Sequence, residues 1–373
     1  MVEVADIFRR FGPAYREKFG DRMPASHLKA MADIEACRTE LLGGHVYYCD
    51  DCDETQYSYH SCRNRHCPKC QNEAAQEWLA KQQGLLLPTP YFMVTFTLPA
   101  ELRPVARSHP QLVYNILFRT SAAALQELTL DPRFVGGQIG MVGVLQTWTR
   151  DLSYHPHVHY LVPGGGLSED GQTWHPSRQN FLVHADPLSI LFRAKFRDAL
   201  RKTDLFDQVP SETWSKEWVA DCQSVGRGAA ALKYLAPYIF RVAISNNRIL
   251  KIENDQVTFS YKERDSRRTK RCTVTAQEFM RRFLQHVLPK GFVKVRYYGL
   301  VSPGNRHRLL QARQLLGLSE SMTQTQLTDQ DQDALENQTE ETAVSQREVC
   351  CPNCGQTMRC ILTIRPHSRC PPP

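Results

Sequence analysis

The chain has 373 residues, 42% hydrophobic and 23% charged, with 46 Lys and Arg against 39 Asp and Glu for a formal net charge of +7. This ordinary globular mix excludes a wholly disordered chain, a collagen and a coiled coil, and at about 150 residues per domain it predicts two or three domains. There is no run of about 18 apolar residues to suggest a membrane span, and the opening MVEVADIFRR carries no apolar signal core. The expectation is therefore a soluble, cytosolic protein, in which cysteines serve something other than a disulfide scaffold.

In chain order, residues 1–44 read as helical, with Leu28, Met31, Ile34 and Ala36 near a 3.6 period and Gly43-Gly44 as the stop. A helix is expected over 72–87, closed by Pro88 and Pro90, and Tyr91–Leu98 reads as a strand by composition. Residues 108–129 read as a helix, 139–148 and 157–163 as strands, and 186–202 and 229–242 as helices. Residues 248–252 and 256–261 make a hairpin around Asn254-Asp255. Strands alternating with helices from 91 to 300 predict an α+β core. The expected domains are a helical, zinc-binding module over 1–88, a core over 89–315, an acidic linker over 316–347 and a small Cys-rich tail over 348–373. The stretch 319–341 holds seven acidic and no basic residues, the composition of a disordered linker.

Ten of the 13 cysteines fall in two clusters: Cys49, Cys52, Cys62, Cys67 and Cys70, then Cys350, Cys351, Cys354, Cys360 and Cys370. Cys37, Cys222 and Cys272 stand apart and read as buried or incidental. Cys49-x2-Cys52 and Cys67-x2-Cys70, 14 residues apart, have the spacing of a closed structural zinc site. His60, Cys62 and His66 compete as ligands. Cys351 and Cys354 begin a second possible zinc knuckle, to be completed by His367 and Cys370, with Cys360 as rival. Arg63, Arg65 and Lys69 around the first site make it a candidate DNA-contact module.

Residues 155–162 read His-Pro-His-Val-His-Tyr-Leu-Val. On a strand, His157 and His159 point to the same face, which offers a divalent metal two imidazoles and leaves positions open for substrate. Gln146, on the preceding strand, is the candidate third ligand, with Asp151 and His155 as rivals. Tyr234 and Tyr238 are four apart and would share a helix face, although Pro237 disturbs helical geometry between them. A tyrosine oxygen can attack a phosphodiester whose phosphate is polarised by a metal. Basic side chains beside flat ones suit single-stranded DNA. Residues 261–271 supply Arg264, Arg267, Arg268, Lys270 and Arg271, and residues 290–313 supply Lys294, Arg296, Arg306 and Arg308 with Tyr297.

Four blocks in this order carry a family likeness: Ser61–Cys70, Ser153–Gly166, Tyr234–Asn247 and Arg296–Leu300. Over roughly 5–310 the chain resembles the two-tyrosine HUH transposases of the insertion-sequence 91 family, relatives of rolling-circle replication initiators. The resemblance places the HUH motif on His157-Val158-His159 and the nucleophiles on Tyr234 and Tyr238. It implies a five-stranded antiparallel sheet with helices on one side, related to the RNA-recognition (ferredoxin-like) fold. It implies cleavage of single-stranded DNA at element ends and target with Mg²⁺ or Mn²⁺, through a 5′-phosphotyrosine link and a free 3′ hydroxyl. Host replication proteins are the expected partners, and the bacterial cytoplasm, at the nucleoid, the expected place of action. Three other readings stay open at this point: a rolling-circle initiator or relaxase, a non-catalytic zinc-dependent DNA-binding protein, and a hydrolase using His155, His157 and His159 with water as nucleophile.

Overall fold

The computed structural model describes residues 2–70, 78, 82, 85–228, 230, 242–263, 266, 268–318 and 349–367. In chain order its strands are β1 (Gly44–Tyr48), β2 (Thr55–Tyr59), β3 (Pro90–Thr97), β4 (Gly140–Trp148), β5 (Tyr154–Pro163), β6 (Gly165–Leu167), β7 (Trp174–Pro176), β8 (Val219–Arg227), β9 (Ile249–Glu253), β10 (Gln256–Lys262), β11 (Thr269–Thr275), β12 (Val295–Gly299) and β13 (Arg359–Ile364). The helices that concern the argument are α1 (Val4–Phe19), α2 (Ala25–Ala36), α3 (Arg103–Ser108), α4 (Pro110–Leu130), α5 (Ala185–Leu200), α6 (Ala276–Leu284) and α7 (Arg306–Leu315). The chain forms two compact units. One comprises Met1–Asn72, Ile244–Val287 and Gln332–Pro373, and the other Glu73–Ala243 and Leu288–Asp331.

The second unit is built on a five-stranded antiparallel sheet in the order β12-β4-β5-β3-β8. Alternation along each strand sends one set of side chains to the helices. Phe92, Val94 and Phe96 of β3, Met141 and Leu145 of β4, and Val158, Tyr160 and Val162 of β5 join Leu117 and Phe118 of α4 and Phe192 and Phe196 of α5 in one buried core. Pro110 occupies the first turn of α4, where its missing N–H costs nothing, and the chain breaks at His109 between α3 and α4. The expected α+β class and helix-backed antiparallel sheet are therefore present. The edge strand β8 has no clear alternation of apolar residues, and sequence reading missed it.

The first unit has two small sheets, β13-β1-β2 and β11-β10-β9. The hairpin expected around Asn254-Asp255 forms, with both residues at positive φ (47° and 59°), the conformation of a type I′ turn. Here the structure corrects the expected domain boundaries. Residues 244–287 were expected to belong to a continuous core over 89–315, but they pack on the N-terminal helices. Phe8 of α1 meets Phe283 of α6 edge-on at 5.3 Å, and the Val4 amide donates to Asn246 Oδ1 at 3.1 Å. The tail also joins this unit, through β13 on β1. Residues 319–347 of the linker expected over 316–347, and most of the helices expected over 229–242 and 72–87, lie outside the described residues.

Gly143 of β4 sits directly opposite Tyr160 of β5. A Cβ there would lie 2.5 Å from Tyr160 Cε1 and 3.2 Å from Phe118 Cε1. Tyr160 is fully buried, and its hydroxyl is held by Ser121 Oγ at 2.8 Å and the Phe118 carbonyl at 3.1 Å. The ring cannot move aside without breaking those bonds. Gly143→Ala is predicted to destabilise this unit by about 1–3 kcal/mol, read as a lowered denaturant midpoint; an unchanged midpoint would contradict the packing.

Candidate active site and metal centres

The face of the five-stranded sheet opposite the main helical core divides into two parts. At one end Tyr91, Met93, Val144, Leu161 and Val295 form a smaller apolar cluster with Trp78. At the other the outward positions turn polar. His157 stands across from Thr97 of β3 and Gln146 of β4, and His159 across from Thr95 and Val144. Asp221 of β8 is opposite Thr95 on its other side. Paired residues of an antiparallel sheet share a face, so Gln146, His157, His159, Thr95, Thr97 and Asp221 project together.

Hydrogen bonds fix the two imidazoles. His157 Nδ1 is 2.6 Å from the His155 carbonyl, which can only accept, so the Nδ1–H donates and the lone pair sits on Nε2. His159 Nδ1 is 2.9 Å from Thr95 Oγ1, a hydroxyl that can donate to it or accept from it. The rings lie 4.8 Å apart at 84°. Burial pushes the His157 pKa down to about 4, which keeps the imidazole in its neutral, metal-ligating form. Gln146 is buried in register with His157. Its rivals are engaged elsewhere: Asp151 accepts from Thr149 and Ser153 within its own turn, and His155 Nδ1 receives the Arg103 guanidinium at 2.8 Å. This set of two imidazoles and an amide oxygen suits a divalent cation with open positions. Tyr234 and Tyr238 lie outside the described residues, in the segment that follows β8 in the chain.

The cysteines do gather into metal-binding groups, but the grouping corrects the expected one. Cys37, Cys62, Cys67 and Cys70 form one group, and Cys49, Cys52, Cys351 and Cys354 the other. Sγ–Sγ separations are 3.5 Å for Cys37–Cys70 and 3.6 Å for Cys62–Cys70 in the first. In the second they are 3.5 Å for Cys49–Cys354 and 3.3 Å for Cys52–Cys351. Four sulfurs about 2.3 Å from a zinc ion stand about 3.8 Å from one another, so both groups fit that ion. The physical reason for the regrouping is the β1–β2 hairpin. Cys49 and Cys52 lie at its turn, whereas Cys62, Cys67 and Cys70 follow β2 back to the other end. Five residues of strand separate those ends by on the order of 15 Å, too far for one ion. Cys37, which sequence reading set aside, is adjacent because α2 ends there and the Arg38 amide donates to the His60 carbonyl at 3.1 Å. Neighbouring thiols pull the Cys37 thiol down to about 7. His60 instead faces His45, with Nε2 atoms 3.4 Å apart. His367 is exposed and outside the second group, and Cys370 lies outside the described residues.

The expected DNA contacts divide as well. Arg296 turns to the helix side, 4.4 Å from the Phe118 ring centroid and bonded to Asn115. Arg308 donates to the Ser168 and Glu169 carbonyls at 2.8 and 3.1 Å. Both guanidiniums, expected as DNA contacts, are bonded within the fold. Tyr297 accepts from Trp78 Nε1 at 3.3 Å, Lys294 lies over the Trp148 ring, and Arg306 opens α7. Lys69 pairs with Glu3 at 2.5 Å, Arg65 is half-buried, and Lys270 pairs with Glu263. Arg63, Arg268 and Arg271 are exposed, and Arg264 and Arg267 lie outside the described residues.

Comparison with known proteins gives the family. Residues 7–98 match a family model described as "Transposase zinc-binding domain", and residues 140–308 one described as "Putative transposase". The first span holds all of Cys37, Cys62, Cys67 and Cys70, and half of the second group. The second holds β4 and β5, with Gln146, His157 and His159. The "Putative transposase y4qJ" of Sinorhizobium fredii is 41% identical, over 97% of this chain and 95% of that protein. The "Transposase for insertion sequence element IS801" of Pseudomonas savastanoi pv. phaseolicola is 27% identical, over 74% of this chain and 70% of its own length. No solved structure matches. With zinc-module and transposase-core matches in the expected order, and a relative aligned along nearly the whole length, the chain belongs to the insertion-sequence 91 family of transposases.

Proposed function

We propose that this transposase nicks and rejoins single-stranded DNA at the ends of its element through a tyrosine, with a divalent metal held by His157, His159 and Gln146. The observation that carries the reading is the placement of those three side chains on one polar end of the sheet face, with both histidine Nδ1 atoms already engaged. Mg²⁺ or Mn²⁺ bound there supplies a Lewis acid that polarises the scissile phosphate, and imidazole ligands favour tolerance of Mn²⁺.

Tyr234 or Tyr238 provides the nucleophile. Its oxygen loses a proton and bonds to phosphorus, the P–O3′ bond breaks, and the departing 3′ oxygen takes up a proton. The 5′-phosphotyrosine link conserves the phosphodiester energy, and a later 3′ hydroxyl can displace the tyrosine without ATP. Two tyrosines permit two successive transfers before the DNA is released. The freed 3′ hydroxyl can prime replacement synthesis by host replication proteins, which is rolling-circle transposition. Exposed Arg63, Arg268 and Arg271 are candidates to hold phosphates, and such binding weakens as salt rises.

The test uses labelled single-stranded DNA from both flanks of the gene, with Mn²⁺, separated under denaturing conditions. The expected result is a covalent adduct that His157→Ala abolishes. Replacing the initiating tyrosine by Phe should reduce it on the order of 10³-fold or more. Free cleavage products without an adduct, indifferent to Tyr234→Phe and Tyr238→Phe, would favour a water-using hydrolase; binding without cleavage would favour a DNA-binding protein. Thr95→Val tests the orientation of His159. It keeps the side-chain shape and removes the hydroxyl, and should weaken Mn²⁺ binding, measured calorimetrically, by about 10–100-fold. Unaltered affinity would remove Thr95 from this role.

A further inference from the structure

The two knuckles of the second cysteine group share one backbone plan. In the first, the Cys49 amide donates to the Glu54 carbonyl at 2.9 Å and the Asp53 amide to the Cys49 carbonyl at 3.1 Å, with Asp53 at φ +56°. In the second, the Cys351 amide donates to the Gln356 carbonyl at 2.8 Å and the Gly355 amide to the Cys351 carbonyl at 2.9 Å, with Gly355 at φ +75°. Each knuckle has a buried first cysteine and an exposed second one. Each also closes one end of a hairpin: β1 with β2, and the strand pair begun by the Cys350–Thr357 bridge and continued into β13. β13 then lies antiparallel to β1, from Gly44–Ile364 to Tyr48–Arg359. Cys49 and Cys354 are 305 positions apart in the chain, yet the whole has the layout of a zinc ribbon.

We propose that Cys49, Cys52, Cys351 and Cys354 bind a second zinc ion, which assembles this ribbon from the two distant halves and fixes the tail on the N-terminal module. The Sγ–Sγ distances of 3.3–3.8 Å fit the edges of a zinc tetrathiolate and are far beyond the about 2.05 Å of a disulfide. Beyond the β1–β13 ladder, the side chains among the described residues offer little to hold the tail. Its buried core here is Cys49, Cys351 and Met358, with Tyr47 and Val349 beside them, while Ile361 and Leu362 of β13 remain 47% and 57% exposed. The side-chain polar contacts are surface ones, among them Arg359 with Asp50 at 2.9 Å, Asn353 with Glu54 at 3.3 Å and His45 Nδ1 with Thr363 Oγ1 at 3.3 Å. Exposed pairs of that kind add little. So small a core depends on its metal. When loaded, the ion also gives β1 a partner on both edges and leaves no open strand edge there.

Metal content by native mass spectrometry of the full chain should show two zinc ions per molecule, falling to one in the Cys351→Ser/Cys354→Ser double variant. A wild-type protein with one zinc, a double variant that keeps two, or iron in place of the second zinc would overturn the assignment. Thiol alkylation of the unaltered protein provides a second measurement that does not depend on the folding of the double variant. Cys52 and Cys354 are exposed, as are Cys350 and Cys360. Exposure alone predicts that all four react together, whereas ligation predicts that Cys350 and Cys360 react at once and Cys52 and Cys354 only after a zinc chelator is added. Equal labelling before chelation would sink the proposal.

Discussion

The period-two alternation of β5 is the constraint on which the catalytic unit depends. One set of its residues, Val158, Tyr160 and Val162, is locked into the core beneath α4 and α5. The other set, His155, His157 and His159, is thereby forced onto the opposite face. A slip of one residue in register would bury the imidazoles and expose Tyr160. The cost of that exchange, in lost apolar burial and stranded polar groups, makes the register secure. The same core that stabilises the sheet therefore aims His157 and His159, and Gly143 makes room for the ring that anchors their strand.

A second constraint governs the part of the other unit around the β1–β2 hairpin, where the buried cluster at the turn is only Cys49, Cys351 and Met358 and cysteines take over. The β1–β2 hairpin acts as a spacer. Its turn presents Cys49 and Cys52 at one end, and the strand that returns delivers Cys62, Cys67 and Cys70 to the other, where α2 brings Cys37. The two four-cysteine groups are thus set by hairpin length rather than by how near the cysteines stand in sequence.

Much of the structure was legible in the sequence where its signals are local. Two histidines at i and i+2 within an apolar strand leave one reading of their face, and Asn254-Asp255 between two short strands specifies a turn. Gln146 was legible as a candidate because a short connection between strands predicts a hairpin. What could not be read was long-range pairing. Cys37 offers no sign that it belongs with Cys62, and two CxxC motifs in a row invite the pairing of neighbours that the hairpin forbids. Residues 244–287 looked continuous with the core, and only the packing of Phe283 on Phe8 shows their place. Arg296 and Arg308 looked like phosphate contacts because composition does not reveal that Asn115 and the carbonyls of Ser168 and Glu169 already occupy them.

The central claim is that the polar end of this sheet face serves a tyrosine nucleophile. Its most direct test is to identify the atom that carries the DNA. Protein incubated with element-end single-stranded DNA and Mn²⁺ would be digested with nuclease and protease, and the peptides mapped by mass spectrometry. The account predicts a nucleotide joined through its 5′ phosphate to Tyr234 or Tyr238, and no such peptide when His157 is Ala. Efficient cleavage with every 5′ phosphate free, and both tyrosines unmodified, would contradict it.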